Sequence, residues 1–549
     1  MSEKNITAKK SKIKNSSKLF FSGVLILTIS NLIIKVIGLM FKIPMNHIVG
    51  DEGMGYYNSA YTFYTYLYML STAGLPTAIS IMVSDSRAKC QFNQVKRILK
   101  VSLALFIGIG IVGTCVMLFG AGAMSTAIGA ENTKYSMMAI APTLFLICIS
   151  SALRGYFQGY QQMVPTAISQ LIEAVCKLGL GIGFALYAIG QGYPIYIVAA
   201  YAALGLTIGV GLGMMFLVFS KLLFKEQQYD EEYLLDREED RSTLPGKELF
   251  KKLFMIALPI TVSASVMSLT NLIDTAIVQR LLQMTGLTQV AATELYGNYT
   301  SLAVPMFNLP PVLIYPISYS IVPLLSAARQ KGDTLRCKLV MESSMRVAML
   351  IGIPCGLGLA ALSKPILSLF YKASSVELAA PLLTLLAPST AFICILSVTN
   401  AILQANGFER KPLVSMLIGA LVKVVTNFFL IQHIGMKGTP ISTFLCYLTV
   451  TLINLYFVKK HVGVLPKLSG LFGKPLFASI FCAITAFISY SFIYRILPSK
   501  LAVVPAIFLA FLVYFVAIFL VRGVSGDDIK LLPKGEKLYN IFRKLKLVK

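Results

Sequence analysis

Tryptophan is absent from this chain, histidine occurs three times, and only 13% of the residues are charged. Each scarcity excludes something. Ordinary globular proteins carry about a quarter charged residues, so this chain is too poor in charge to be a string of soluble domains. The nine cysteines include no Cys-x-x-Cys pair and lie mostly inside apolar stretches. They read as small hydrophobes, and neither a metal site nor a disulfide is expected. Acid is scarce as well, 24 Asp and Glu against 49 Lys and Arg. The resulting net charge of +25 would fit a nucleic-acid partner only if the cations shared a soluble face with base-stacking groups. They sit instead in alternate loops and at both ends, the distribution of a positive-inside topology, so no nucleic acid is expected.

Apolar residues fill the space left, at 56% of the chain. A run of about 20 of them crosses a bilayer. Such runs recur between residues 19 and 522. The fold class is therefore an all-α polytopic membrane protein. The first run is too long for a signal-peptide core and lacks an Ala-x-Ala exit, so it reads as a first span with its basic amino end kept in the cytoplasm.

Basic loops alternate with poor ones through about fourteen spans, which places both termini on the cytoplasmic side of the cell membrane. The organisation expected is a basic tail (1–18), a first lobe of six spans (19–220), a mixed-charge cytoplasmic linker (221–249), a second lobe of six spans (250–458), two further spans (474–522) and a basic amphipathic tail (523–549). Within the last tail, Leu538, Ile541, Phe542 and Leu545 share one helical face, against Lys537, Arg543 and Lys544. That pattern suits a surface helix on anionic lipids.

The two lobes repeat each other. At a shift of 240 positions, Asn31 falls on Asn271, Tyr56 on Tyr296, Asn58 on Asn298 and Pro76 on Pro316. At 246, Ala141-Pro142 falls on Ala387-Pro388 and Lys177 on Lys423. An even number of spans separates the copies, so the repeat is parallel. Two six-helix bundles would face each other over a central cleft, the body plan of alternating access.

Ionisable residues inside spans are costly and mark candidate sites. Lys35 lies about 24 Å into the first span at 1.5 Å per residue. It either snorkels to the far headgroups or faces the cleft, with Asn31 one turn earlier on the same face. Lys42 is close enough to the outer end to snorkel. Asp274 needs a cation, a proton or a basic partner, and so is a coupling or gating residue or half of a structural pair. Glu173 and Lys177 stand four apart on one helix face and can neutralise each other. Lys423 has glycine where Lys177 has that acid. Arg154 is expected to be a cytoplasmic anchor, and Glu342 with Arg346 a structural pair. Tyrosines crowd residues 56–68, and Pro76, Pro310, Pro311 and Pro316 predict helix bends at matching places in the two lobes.

The run Val24-Leu25-Ile26-Leu27-Thr28 through Ile34-Lys35-Val36-Ile37-Gly38 to Ile48-Val49-Gly50, with Gly74-Leu75-Pro76-Thr77-Ala78-Ile79-Ser80, resembles the SpoVB/YtgP branch of the multidrug/oligosaccharidyl-lipid/polysaccharide (MOP) exporter superfamily. The resemblance implies a flippase for an undecaprenyl-pyrophosphate-linked saccharide, lipid II or another polysaccharide-lipid, with no covalent chemistry and no cofactor. Energy would come from the membrane potential, H+ or Na+. It places a basic residue at Lys35 to hold the pyrophosphate. Beside the resemblance, Asn31, Asn58, Tyr56, Asn271 and Asn298 are expected to bind the substrate near the cleft. Cell-wall synthesis proteins are the further partners it implies. This chain departs from the family's MurJ-type members at Phe41-Lys42 and Tyr68-Met69, where an Arg-Asp pair and two arginines are usual. A cation-coupled multidrug exporter and a non-transporting scaffold for cell-wall synthesis are the alternatives.

Overall fold

Every regular element among the described residues is helical. A bilayer offers no partner to backbone N–H and C=O groups, and a helix satisfies them within the segment. The computed structural model describes residues 3–224, 226, 242–315, 317–318, 321, 325, 333–467, 469–524 and 526, with side chains from Ile26 onward except 28, 259, 262–267 and 499. The basic amphipathic tail and most of the linker, expected from the sequence, lie outside these residues. Nine segments among the described residues are long and apolar enough to cross a membrane, and the bent pair Ala373–Leu386 and Ser389–Ala405 makes a tenth. Two of the nine, Ile29–Ala88 and Arg410–Val462, are interrupted by Gly50 and Gly435 at positive φ.

The first of these interruptions stands where a loop between the first two spans of the first lobe would be expected. Helix α1 (Glu3–Thr72) has no loop, only a corner at Gly50, where φ is 68° and ψ −175°. That conformation is open to glycine almost alone. On a straight helix, Phe41 and Tyr57 would stand about 24 Å apart at 1.5 Å per residue. Their ring centroids are 5.5 Å apart, so the chain doubles back into two limbs. Asn46 Nδ2 donates to Asp51 Oδ1 at 2.7 Å across the corner and both residues are buried, which fixes it.

α1 ends at Thr72, and α2 (Leu75–Ala88) begins after two intervening residues with Pro76 in its first turn. The bend expected at Pro76 is therefore a break centred on residues 73–74. Proline starts the new helix because its missing N–H has no partner to lose there. The Gly74 N–H donates to Thr261 Oγ1 at 3.1 Å on α7 (Gly246–Met284). Between them run α3 (Phe92–Ala127), α4 (Thr133–Gly159), α5 (Val164–Gly190) and α6 (Ile195–Leu223).

The chain divides into two compact units, Met1–Leu272 and Ile273–Lys549, the division falling inside α7. In the first, α3 packs on α4, α4 on α6, and α5 on α6 and on α1. Glycines set the α5–α6 approach. Gly205, Gly209 and Gly213 recur every fourth residue of α6 and lie against the backbone of Gly181, Glu173 and Ser169 on α5. Small residues at this spacing let helices close to backbone contact in a membrane.

The second unit continues through α8 (Gln289–Asn298), a π-turn (Tyr299–Ala303), the single turn α9 (Val304–Phe307) and a 3-10 turn at Pro310–Leu313. Residues 289–313 are thus not a continuous helix. Pro305, Pro310 and Pro311 each remove a backbone donor, and the helix fragments around them. Pro316 lies outside the described residues. Then follow α10 (Thr334–Ala361), α11 (Ser363–Ser368), α12 (Ala373–Leu386), α13 (Ser389–Ala405), α14 (Arg410–Ile434) and α15 (Gly438–Phe457). Here α10 packs on α13, α13 on α15, and α14 on α15, the order found for α3 to α6. The last two helices, α16 (Lys474–Ile493) and α17 (Ser499–Leu520), pack on each other, and α16 packs on α10.

One pair of repeated residues folds two ways. Pro142 sits inside the unbroken α4. Hydroxyls of neighbouring helices bond carbonyls beside it, Thr114 Oγ1 to Ala141 O at 3.2 Å and Thr207 Oγ1 to Ala139 O at 2.7 Å. Pro388, its counterpart, caps α13 at a 48° bend from α12.

Candidate functional site

The first unit encloses a cavity of about 340 Å³. Its walls come from both limbs of α1 and from α4, α5 and α6. Asn31 and Lys35 line it from the first limb and remain exposed, so they stand at its mouth. Of the two alternatives for Lys35, its place in the cavity lining fits the cleft-facing one.

Its floor holds the residue that the sequence reading misplaced. Arg154, expected to be a cytoplasmic anchor, is only 5% exposed and lines the cavity. Its Nη2 forms an ion pair with Glu173 Oε1, and its Nε donates to Ser169 Oγ at 3.1 Å. Gly213 of α6 leaves the room that Glu173 occupies. A Cβ there would fall 2.9 Å from Oε1.

Glu173 therefore does not pair with Lys177, its neighbour one turn away. The Lys177 ammonium lies over three rings instead, 5.0 Å from the centroid of Phe41, 5.8 Å from Tyr57 and 4.4 Å from Tyr61. A cation over aromatic faces is held by the ring quadrupoles, more strongly where water is excluded. Lys42, expected to snorkel outward, is half-buried and within Coulombic reach of Lys177.

The tyrosines sort by helix face. Residues 57, 61, 64 and 68 are spaced four, three and four apart, one stripe of a helix. Their rings pack in sequence at 6.0, 5.8 and 6.0 Å. Tyr61, Tyr64 and Tyr68 line the cavity. Tyr56 and Asn58 fall off that stripe and are buried. Tyr56 donates to Glu52 Oε1 at 3.1 Å. Neither lines the cavity. Asn298 is fully buried, with its Nδ2 donating to the Ser375 carbonyl at 2.8 Å. Asn271 is exposed on α7, one turn before Asp274.

In the second unit Asp274 is not a lone carboxylate. Lys423 Nζ of α14 donates to its Oδ2 at 2.8 Å, and Asn427 Nδ2 to its Oδ1 at 3.0 Å. Both partners of the ion pair are buried, with side chains 2% and 7% exposed. Asp274 is half of a buried ion pair, and Lys423 has found on another helix the acid its own helix lacks. The expected pair of Arg346 and Glu342 is present at 3.7 Å.

At the end of α6, Lys221 and Tyr156 both bond the Glu226 carboxylate. Burial alone would raise this carboxyl, but the hydrogen bonds from Lys221 and Tyr156 and the Lys221 charge outweigh it and hold it below the ordinary 4.5.

A duplicated helical membrane body with a charged cavity inside one lobe is an architecture that suits a transporter. The chain belongs to the family described as polysaccharide biosynthesis protein, whose pattern matches residues 20–329, and through it to the MOP exporter superfamily. The MatE pattern matches residues 259–429. Stage V sporulation protein B of Bacillus subtilis (strain 168) is 28% identical over 523 residues, covering 94% of this chain and 98% of that one. Lipid II flippase MurJ of the same organism is 24% identical over 461 residues, covering 82% and 84%. Among solved structures, a lipid II flippase MurJ in an inward closed conformation superposes with a TM-score of 0.69, at 13% identity, over 91% of this chain and 99% of that chain. These likenesses establish the fold and a multi-pass transporter or flippase.

Proposed function

We propose that this protein flips an undecaprenyl-pyrophosphate-linked saccharide, a peptidoglycan precursor or another polysaccharide-lipid, across the cytoplasmic membrane by alternating access. The observation that carries this reading is the charge of the cavity. Lys35, Arg154 and Lys177 set three cations against the single carboxylate of Glu173, which leaves two positive charges. A diphosphate diester brings one negative charge on each phosphate. Arg154 offers the planar fork that matches phosphate, and Lys35 a mobile point charge at the entrance. Tyr61, Tyr64 and Tyr68 add hydroxyls and ring edges for a sugar. The reading is supported by the similarity to a lipid II flippase. Both termini are placed in the cytoplasm, with anionic lipids as partners of the basic carboxyl tail. The driving force is assigned to the membrane potential, H+ or Na+.

The MatE match favours a second reading, a cation-coupled exporter. Cationic drugs need acidic groups to hold them. Glu173 is neutralised by Arg154, and Asp274 by Lys423. The flippase reading accounts better for this balance.

Lys35→Ala tests the proposal. In a flippase-depleted cell the variant should accumulate in the membrane at the normal level and fail to support growth. Reconstituted vesicles should show loss of lipid translocation. Normal growth on Lys35→Ala removes Lys35 from the mechanism, and a drug-sensitivity phenotype with intact lipid translocation favours the exporter.

A further inference from the structure

We infer that Glu173 is a resident stand-in for the substrate's anion, holding Arg154 while the cavity is empty and moving to Lys177 when a diphosphate takes its place. This rests on the reading of the cavity as a diphosphate site.

Arg154 is buried, and a buried guanidinium without a counter-charge is strongly destabilising. Glu173 supplies that charge, with Ser169 accepting from the remaining edge. The same arrangement blocks the best phosphate donor in the cavity until the carboxylate leaves.

Glu173 has somewhere to go. Lys177 stands one turn on along α5, the spacing and the order, Glu before Lys, at which such pairs form on a helix. In this structure its ammonium rests on Phe41, Tyr57 and Tyr61. Rotation about the side-chain bonds of Glu173 and Lys177 brings the two together with no movement of the backbone. Charge stays balanced through the exchange. The dianion meets the two positive charges of the empty cavity, so no proton has to be taken up. One further group on α5 points to a ligand. The buried side-chain oxygen of Gln170 lines the same cavity and has no hydrogen-bond partner, an acceptor suited to a saccharide hydroxyl.

The test uses the full-length protein in lipid nanodiscs with geranylgeranyl diphosphate as the probe. Glu173→Gln keeps the shape and removes the competing charge, so the dissociation constant should fall about tenfold, the scale of one charge-assisted contact. Glu173→Asp retains the charge and should bind as the wild type does. Lys177→Met removes the landing place, so it should weaken binding in the wild type and have little effect in the Glu173→Gln background, a non-additive cycle. Gly213→Ala, whose methyl group crowds Oε1, should tighten binding without changing charge, and it keeps the test alive if Glu173→Gln does not fold. The exchange is overturned if the wild type binds and folded Glu173→Gln binds no tighter, or if Lys177→Met weakens both backgrounds equally. No binding by wild type or Glu173→Gln overturns the diphosphate reading itself, a distinct failure. Inorganic pyrophosphate displacing the probe as well as the lipid does would overturn the assignment to a lipid-linked anion.

Discussion

Breaking the Asp274–Lys423 pair should be among the most destabilising single changes in the second unit. At 2.8 Å, and with an effective dielectric of about 20, the Coulomb attraction is about 6 kcal/mol before desolvation is subtracted. Desolvation offsets much of that in the intact pair, but removing one partner leaves the other buried and uncompensated. Lys423→Met strands Asp274 with only Asn427 as donor. The expected cost is about 3–5 kcal/mol. Asp274→Asn should cost a similar amount by taking the carboxylate from the buried ammonium. The double variant removes both charges and should recover most of the loss, since replacing a buried pair by neutral groups of similar volume is often close to neutral. Denaturant unfolding of the purified protein in detergent, followed by helical circular dichroism, measures all four corners of the cycle. A double variant as unstable as the sum of the two singles would refute the reasoning, because the pair would then carry no coupling.

Two further outcomes follow from the backbone and from titration. Gly50→Ala places a Cβ in open space but on a conformation that side chains seldom adopt, so it should cost about 1–3 kcal/mol through strain alone, read from the same unfolding curves, and an unchanged midpoint would contradict the corner. Glu226 has a folded-state value below its unfolded value near 4.5, so its contribution is full above that pH and fades as the pH falls through the folded value. The difference between wild-type and Glu226→Gln stability should therefore shrink on acidification below about pH 4.5, and a difference independent of pH would remove the latch at the end of α6.

The helical membrane fold was legible because a bilayer leaves so few solutions. Low charge, apolar runs and alternating basic loops all follow from that one constraint. Lys35 was legible for the same reason, since a charge deep in a span must have a use or a partner. The partners themselves were not legible. Arg154 meets Glu173 across 19 residues, and Asp274 meets Lys423 across 149, each on a different helix. Sequence spacing reports neighbours on one helix and says nothing about which helices touch, so it offered Lys177 to Glu173 and none to Lys423. Two signals were present and went unused. Tyrosines at 57, 61, 64 and 68 trace a single stripe, which separates them from Tyr56 and Asn58. Glycines at 205, 209 and 213 mark the face of α6 that closes on α5 and makes room for the Glu173 carboxylate.

The contrast between Pro142 and Pro388 carries a mechanical consequence. Kindred stretches of chain have become an unbroken mast in one lobe and a jointed boom in the other, and threonine hydroxyls from two neighbouring helices brace the carbonyls beside Pro142. Doubling the sequence did not duplicate the joint: the copy with Pro388 has an elbow where the copy with Pro142 runs straight through.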